Sequence, residues 1–493
     1  MGLAIERERF SAAEFARFSE RLTESLAVLR AVFARPGFGR GEPSIGAEVE
    51  LHLVDASCAP LAANAEVLAS ANDPRLTLEI NRFNLEINTS PVALRGRPFA
   101  SLKAELGDAL AVVQRAARAH GARAVMVGIL PTLRVAHLAE GVLSDAPRYR
   151  ALSRTLRDMR GEPFAVSIKG RESVSAQCDD VALEGANASL QVHLRVEPEL
   201  FARTFNAAQL AAAPVLAACG NSPFFDGKGL WDETRIALFQ QSVDTRLDAR
   251  ERARLPPRVS FGHGWSRDAW GQFAENVALH PALLPACSDE DLAVALEQGG
   301  MPRLEELRLH HGTVWNWNRA VFDPDGGGHL RIEHRLLPSG PTLVDMVANA
   351  ALTLGLTLGL SADMETVAAI FPFAYAEQNL YLAARHGLSA ELSWPSARAP
   401  SPRPRKAREL VLELLPVAEA GLLAAGVAPD EARALLGIVR ERVELGRTGA
   451  AVQREFVDRH EAEHGAGRER ALSALVEWYL ERAEQDVPVH LWK

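Results

Sequence analysis

Glu48 and Glu50 stand two residues apart in SIGAEVELHLVD, where Ala47, Val49, Leu51 and Leu53 alternate with Glu48, Glu50 and His52. A period of two is that of a strand with one apolar face, so both carboxylates project to the same side, about 7 Å apart. Such a pair can share hard divalent cations, which take oxygen ligands and offset the repulsion between like charges. The plain alternative is two solvated glutamates on an exposed strand. His52 extends the same face and reads as a hydrogen-bonded bystander.

Four further stretches carry comparable chemistry. Glu79 and Glu86 in TLEINRFNLEINTSP are seven apart, an odd number, so they reach a common site only if a turn or bulge intervenes. Asn81-Arg82-Phe83-Asn84 can supply that turn. His193 sits in SLQVHLRV with Ser189, Gln191 and Arg195, opposite Leu190, Val192, Leu194 and Val196. An imidazole near carboxylates suits a mixed oxygen and nitrogen metal site. Arg331, Glu333 and Arg335 alternate in HLRIEHRLLPSG. They read either as a surface ion-pair ladder of modest worth or as a metal-binding carboxylate beside a guanidinium suited to a phosphoryl oxygen. Arg235, on a helical stripe with Trp231, Leu238 and Phe239, points inward and needs an anion. That anion is either a carboxylate of the chain or a substrate carboxylate held by two prongs.

These residues need elements to position them. Helical spacing of Phe15, Phe18, Leu22, Leu26, Leu29 and Phe33 marks an N-terminal helical segment (1–43). An amphipathic helix over 101–121 and a buried strand over 124–130 follow. Further on come a helix around 230–242 and apolar helices over 341–390. Alternating strands among helices predict an α+β fold with an antiparallel sheet, one face on helices and the other lining a cavity. The catalytic domain is expected over 44–393, a Pro/Arg-rich linker over 394–405 and a helical segment over 406–493.

Composition narrows the function. In 493 residues, 54 Lys and Arg face 63 Asp and Glu, a formal charge of −9, which argues against nucleic acid as partner. Four scattered cysteines form no zinc spacing. The start of the chain, MGLAIERERF, has no apolar signal core, and the apolar run Met346 to Leu360 is shorter than a bilayer requires. The expectation is a cytoplasmic protein that uses no membrane, takes small molecules as partners and can form a homo-oligomer. No Walker A, GxGxxG, GxSxG or HExxH motif is present.

Taken in order, GAEVELHLVD, TLEINRFNLEINTSP, SLQVHLRV, ACGNSPFFDG with WDETRIALFQQS, and LRIEHRLLPSGPT resemble the glutamate–cysteine ligase family, in its bacterial carboxylate–amine ligase branch (type 2). RTGAAVQREF (447–456) resembles a tail motif of that family. The resemblance implies a glutamine-synthetase-like fold, with a curved antiparallel sheet around ATP and Mg²⁺. It places metal-binding carboxylates on Glu48, Glu50, Glu86 and Glu333 and the metal-binding histidine on His193. Glu79 takes a position where relatives often carry Asp. The catalytic arginine falls on Arg335 and the glutamate-binding arginine on Arg235. The activity implied is ATP- and Mg²⁺-dependent joining of the glutamate γ-carboxylate to an amine, with cysteine the leading acceptor. A different amine, a related phosphotransferase, or a non-catalytic metabolite-binding protein on the same fold are the alternatives.

Overall fold

The alternation around Glu48 becomes the long strand β1 (Ser44–Val54) in the computed structural model, which describes residues 3, 5–139, 141–395, 401–465 and 467–493. Seven more strands complete one sheet: β2 (Leu76–Leu78), β3 (Asn84–Asn88), β4 (Val92–Ala93), β5 (Arg123–Val125), β6 (Ser189–Val196), β7 (Asn318–Asp323) and β8 (His329–Pro338). The order is β7-β8-β6-β1-β3-β2, with β4 and β5 also paired to β1, and every pairing is antiparallel. The sheet curls into a half-barrel, so its concave polar face is enclosed.

The apolar face carries the core. Val49, Leu51, Ile87, Leu190, Val192, Leu194 and Ile332 are each no more than 2% exposed, and burying one such side chain contributes about 1.5–3 kcal/mol. Helix α1 (Ala12–Phe33) and the amphipathic α2 (Pro98–Ala119) join this core through Phe18, Leu22, Leu102 and Leu106. Behind the sheet lie α3 (Phe201–Cys219) and α5 (Leu343–Leu360). Helix α3 is buried on every side from Thr204 to Cys219, which accounts for its unbroken run of small and apolar residues. The apolar stretch that begins at Leu343 is long enough by composition to cross a membrane, yet 72% of its most apolar window is buried inside the fold. It is a core helix.

The structure departs from the sequence expectations in three places. The strand expected over 124–130 pairs only as Arg123–Val125. Beyond it the chain leaves the ladder, and Gly128 passes so close to Pro338 and Ser222 that a Cβ there would lie 3.0 Å from each. The helix expected around 230–242 is α4 (Arg235–Ser242). Trp231 precedes it in a turn closed by Thr234, so it shares no helical stripe with Arg235. The segment expected as a linker is paired at its ends, Glu391–Trp394 against Arg403–Lys406, while 396–400 lie outside the described residues.

The helices after that hairpin are α6 (Ala407–Ala424), α7 (Pro429–Leu445), α8 (Gly449–His464) and α9 (Arg468–Glu484). They join the main body. Helix α6 docks on α5 so closely that a Cβ on Gly421 would meet the Gly355 carbonyl at 2.3 Å. From α7 the buried Arg442 reaches back to Asp345 at 2.7 Å and Asn349 at 2.6 Å.

Candidate metal-binding active site

Six carboxylate and imidazole groups converge on the concave face as two adjoining trios. Glu48, His193 and Glu333 form one; Glu50, Glu79 and Glu86 form the other, each with ligand atoms within 4.8 Å of one another. Strand register produces this. Glu50 lies opposite Glu86 across β1 and β3, and His193 lies opposite Glu333 across β6 and β8. The odd spacing of Glu79 and Glu86 is resolved by a turn, with Asn84 N–H donating to Asn81 O at 2.8 Å. Glu79 shares the face of Thr77, which pairs with Glu86. His52 is buried, with Nδ1 2.9 Å from Asn84 Nδ2, and burial pushes it down to about 4. It stays out of both trios.

The trios differ in charge. His193 Nε2 lies 3.1 Å from Glu48 and 3.9 Å from Glu333. Glu333, 1% exposed, accepts from Arg319 Nη2 at 3.0 Å and Arg335 Nη1 at 3.1 Å, with Arg319 Nε on its other oxygen. Burial opposes its ionisation, yet the two guanidiniums hold the carboxyl well below the usual range. In the other trio, neutral groups are the partners. Glu50 accepts from Ser189 N–H at 2.6 Å and Gln191 Nε2 at 2.9 Å. Glu86 accepts from Thr77 Oγ1 at 3.1 Å and Asn88 Nδ2 at 2.9 Å. Burial and mutual repulsion push Glu79 and Glu86 well above the usual carboxylate range, and burial raises Glu50. Three carboxylates crowded together without a paired cation among the described residues make a place for one. Their all-oxygen donor set fits a hard divalent ion.

Arg335 owes its position to an irregularity. Between His334 and Leu337 the β8 register against β6 shifts, so Arg335 and Leu336 both stand opposite Gln191. This is a β-bulge. It sets Arg335 Nη1 on both Gln191 Oε1 and Glu333. Arg235 is 2% exposed, as an inward-pointing arginine should be. Its anion is inside the chain: Nε donates to Glu233 at 2.8 Å and Nη2 to Leu336 O at 2.6 Å. With these partners it is a fixed positive charge behind β8, close enough to favour the ionised form of Glu50.

Two residues of the site escaped the sequence reading. Arg319 lies in β7, directly opposite Glu333. The turn at 323–328 implies a partner strand before it, and that signal could have found Arg319. Glu184 sits in the short 3₁₀ helix Val181–Ala186, held against the Glu79 turn by Asn81 Nδ2 donating to Ala182 O at 2.9 Å. Burial, then the charge of Glu50, push its carboxyl up to about 8. No alternation marks this residue in the sequence.

Comparison with known proteins agrees with this geometry. A Rubrobacter xylanophilus protein described as "Putative glutamate--cysteine ligase 2-3" is 28% identical over 422 residues, 84% of this chain and 95% of that protein. The fold matches the crystal structure of a glutamate–cysteine ligase from Francisella tularensis in complex with AMP (TM-score 0.58, 12% identity), over 90% of this chain and 89% of the other. It also matches a bifunctional glutathione synthetase from Pasteurella multocida (TM-score 0.52, 12% identity), over 94% of this chain and 55% of the other. The glutamine-synthetase-like architecture is therefore shared. Residues 44–473 match the profile of glutamate-cysteine ligase family 2, and the chain belongs to that family of carboxylate–amine ligases.

Proposed function

We propose that this enzyme uses ATP and Mg²⁺ to activate the γ-carboxylate of glutamate as an acyl phosphate and joins it to an amine, with cysteine the leading acceptor. The observation that carries this reading is the pair of acidic trios on one sheet face with Arg335 beside them.

A carboxylate and an amine do not condense in water, because carboxylate is a poor electrophile and hydroxide a poor leaving group. Phosphoryl transfer supplies a leaving group, and its catalysis is chiefly positioning and charge stabilisation. Glu48, His193 and Glu333 would hold one divalent ion and Glu50, Glu79 and Glu86 another. When bound, these ions neutralise the triphosphate oxygens. Arg335, kept in place by Gln191 and Glu333, stabilises charge on the phosphoryl group in transfer. The four cysteines are all free thiols, in keeping with a reducing cytoplasm.

The test is mass spectrometry of products from purified protein with ATP, Mg²⁺, glutamate and a mixture of cellular amines, alongside ADP release. A γ-glutamyl amide formed with ADP and phosphate is expected, and its mass identifies the acceptor. Glutamate-dependent ADP release without amide would favour the phosphotransferase. No Mg²⁺-dependent ATP turnover with any substrate would favour a binding protein.

A further inference from the structure

Residues of the C-terminal helices α8 and α9 converge on one buried point behind the concave face. Asn221, 0% exposed, begins the turn after α3. Its Nδ2 donates to Ser339 O at 2.8 Å and to Tyr479 Oη at 2.9 Å, and its Oδ1 accepts from Gln453 Nε2 at 2.7 Å. Its N–H donates to Glu233, the partner of Arg235, at 2.9 Å. Gly449 lies so close that a Cβ there would meet Asn221 Oδ1 at 2.2 Å, and Ala450 N–H caps the Gly220 carbonyl at 2.8 Å. Only a carboxamide offers two donors and an acceptor at this size. An Asp could not donate, and a Ser could donate once.

The point matters because of what Ser339 does next. Its Oγ donates to the backbone carbonyl of Glu50 at 2.6 Å. Its N–H donates to the Ala188 carbonyl at 3.1 Å, just before Ser189, whose own N–H holds the Glu50 carboxylate. The peptide and the side chain of Glu50 are thus gripped by two adjoining segments, and one of them hangs on Asn221. Tyr479 in α9 closes the far end, donating to Met126 O at 2.9 Å.

We propose that Asn221 is a positioning residue through which α8 and α9 set the geometry of Glu50 and so the metal affinity of the Glu50–Glu79–Glu86 trio. The inference rests on the metal-binding reading above and gives the C-terminal helices a part in it. Groups that orient a metal ligand from behind typically change affinity about 10–100-fold when removed.

The test uses the full-length protein with Mn²⁺ as probe, titrated by calorimetry, and thermal unfolding measured in parallel. Ser339→Ala removes the hydroxyl that holds Glu50 and leaves the carbonyl that Asn221 uses. It is expected to weaken Mn²⁺ binding about 10-fold. Tyr479→Phe, at the far end, is expected to weaken it by a smaller factor, and the double variant by no more than the larger single effect. Arg459→Ala, on the exposed side of α8, is the control and is expected to leave the affinity unchanged. If both variants unfold at lower temperature but bind Mn²⁺ like the parent, the network only packs the fold and the proposal is overturned. A parent protein that binds no Mn²⁺ would overturn the metal reading, and this inference with it, which is a different result from unchanged variants.

Discussion

The two trios lie on the same face of one sheet, one of two glutamates and a histidine and the other of three glutamates, and their electrostatics run in opposite directions. Glu333 is enclosed by Arg319 and Arg335 and ionises readily. Glu79 and Glu86 are surrounded by amides, a hydroxyl and other carboxylates, and resist ionisation. The difference comes from which strand lies next door. The Glu333 end abuts β7 and the bulge of β8, which bring arginines. The Glu86 end abuts β2 and its turn, which bring another carboxylate. Acidic clustering alone therefore does not describe a metal site. What counts is whether the protein already supplies the positive charge.

The largest expected effect lies on the paired side. Arg335→Ala or Glu333→Gln should lower turnover about 100-fold or more, as loss of one transition-state donor does; near-normal turnover in a folded variant would remove that residue from the mechanism. Stability should then separate the trios by sign. In metal-free protein, Glu333→Gln strands two guanidiniums and should cost about 3 kcal/mol in denaturant unfolding. Glu86→Gln relieves repulsion and should stabilise by about 1 kcal/mol. Equal signs would erase the contrast.

A pH series sharpens it further. Glu79, Glu86 and Glu184 have folded-state pKa values above their unfolded ones, Glu184 reaching about 8. The stability they contribute is present below the ordinary carboxylate pKa and is lost as pH rises through the raised values. Metal-free protein should thus lose stability as pH rises above the ordinary carboxylate range, with the Glu184 contribution gone by about pH 8. Saturating Mg²⁺ should flatten that slope, because a bound cation favours the ionised form, and a slope indifferent to Mg²⁺ would contradict the site. The smallest effect is expected at His52, whose buried ring faces Asn84 instead of a carboxylate. His52→Asn should cost about 1 kcal/mol of stability and leave the Mn²⁺ affinity as it was.

What the sequence disclosed follows from parity. A period of two in β1, β6 and β8 as far as His334 puts Glu48 and Glu50 together on the polar face of β1, and His193 and Glu333 on the polar faces of their own strands, before any fold is known, and the glycine-free turn at Asn81 explains how Glu79 joins them. Parity says nothing of partners. It could not tell that the anion for Arg235 is Glu233, two residues away, nor that Arg319 lies across from Glu333. Glu184 sits on a 3₁₀ helix where no alternation exists to read. The helices beyond 406 looked like a separate segment because their contacts with Asn221 and Asp345 are distant in sequence and specific to single polar atoms.

The irregularity in β8 has a consequence for changes in chain length. Leu336 and Leu337 follow each other in the sequence and both enter the core, because the two-against-one opposition at Gln191 reverses the phase of the strand. Deleting Arg335 would restore an uninterrupted ladder and set Leu336 opposite Gln191, turned toward the carboxylates, placing a greasy side chain where charge must gather. At this point of β8 the number of residues matters as much as their identity.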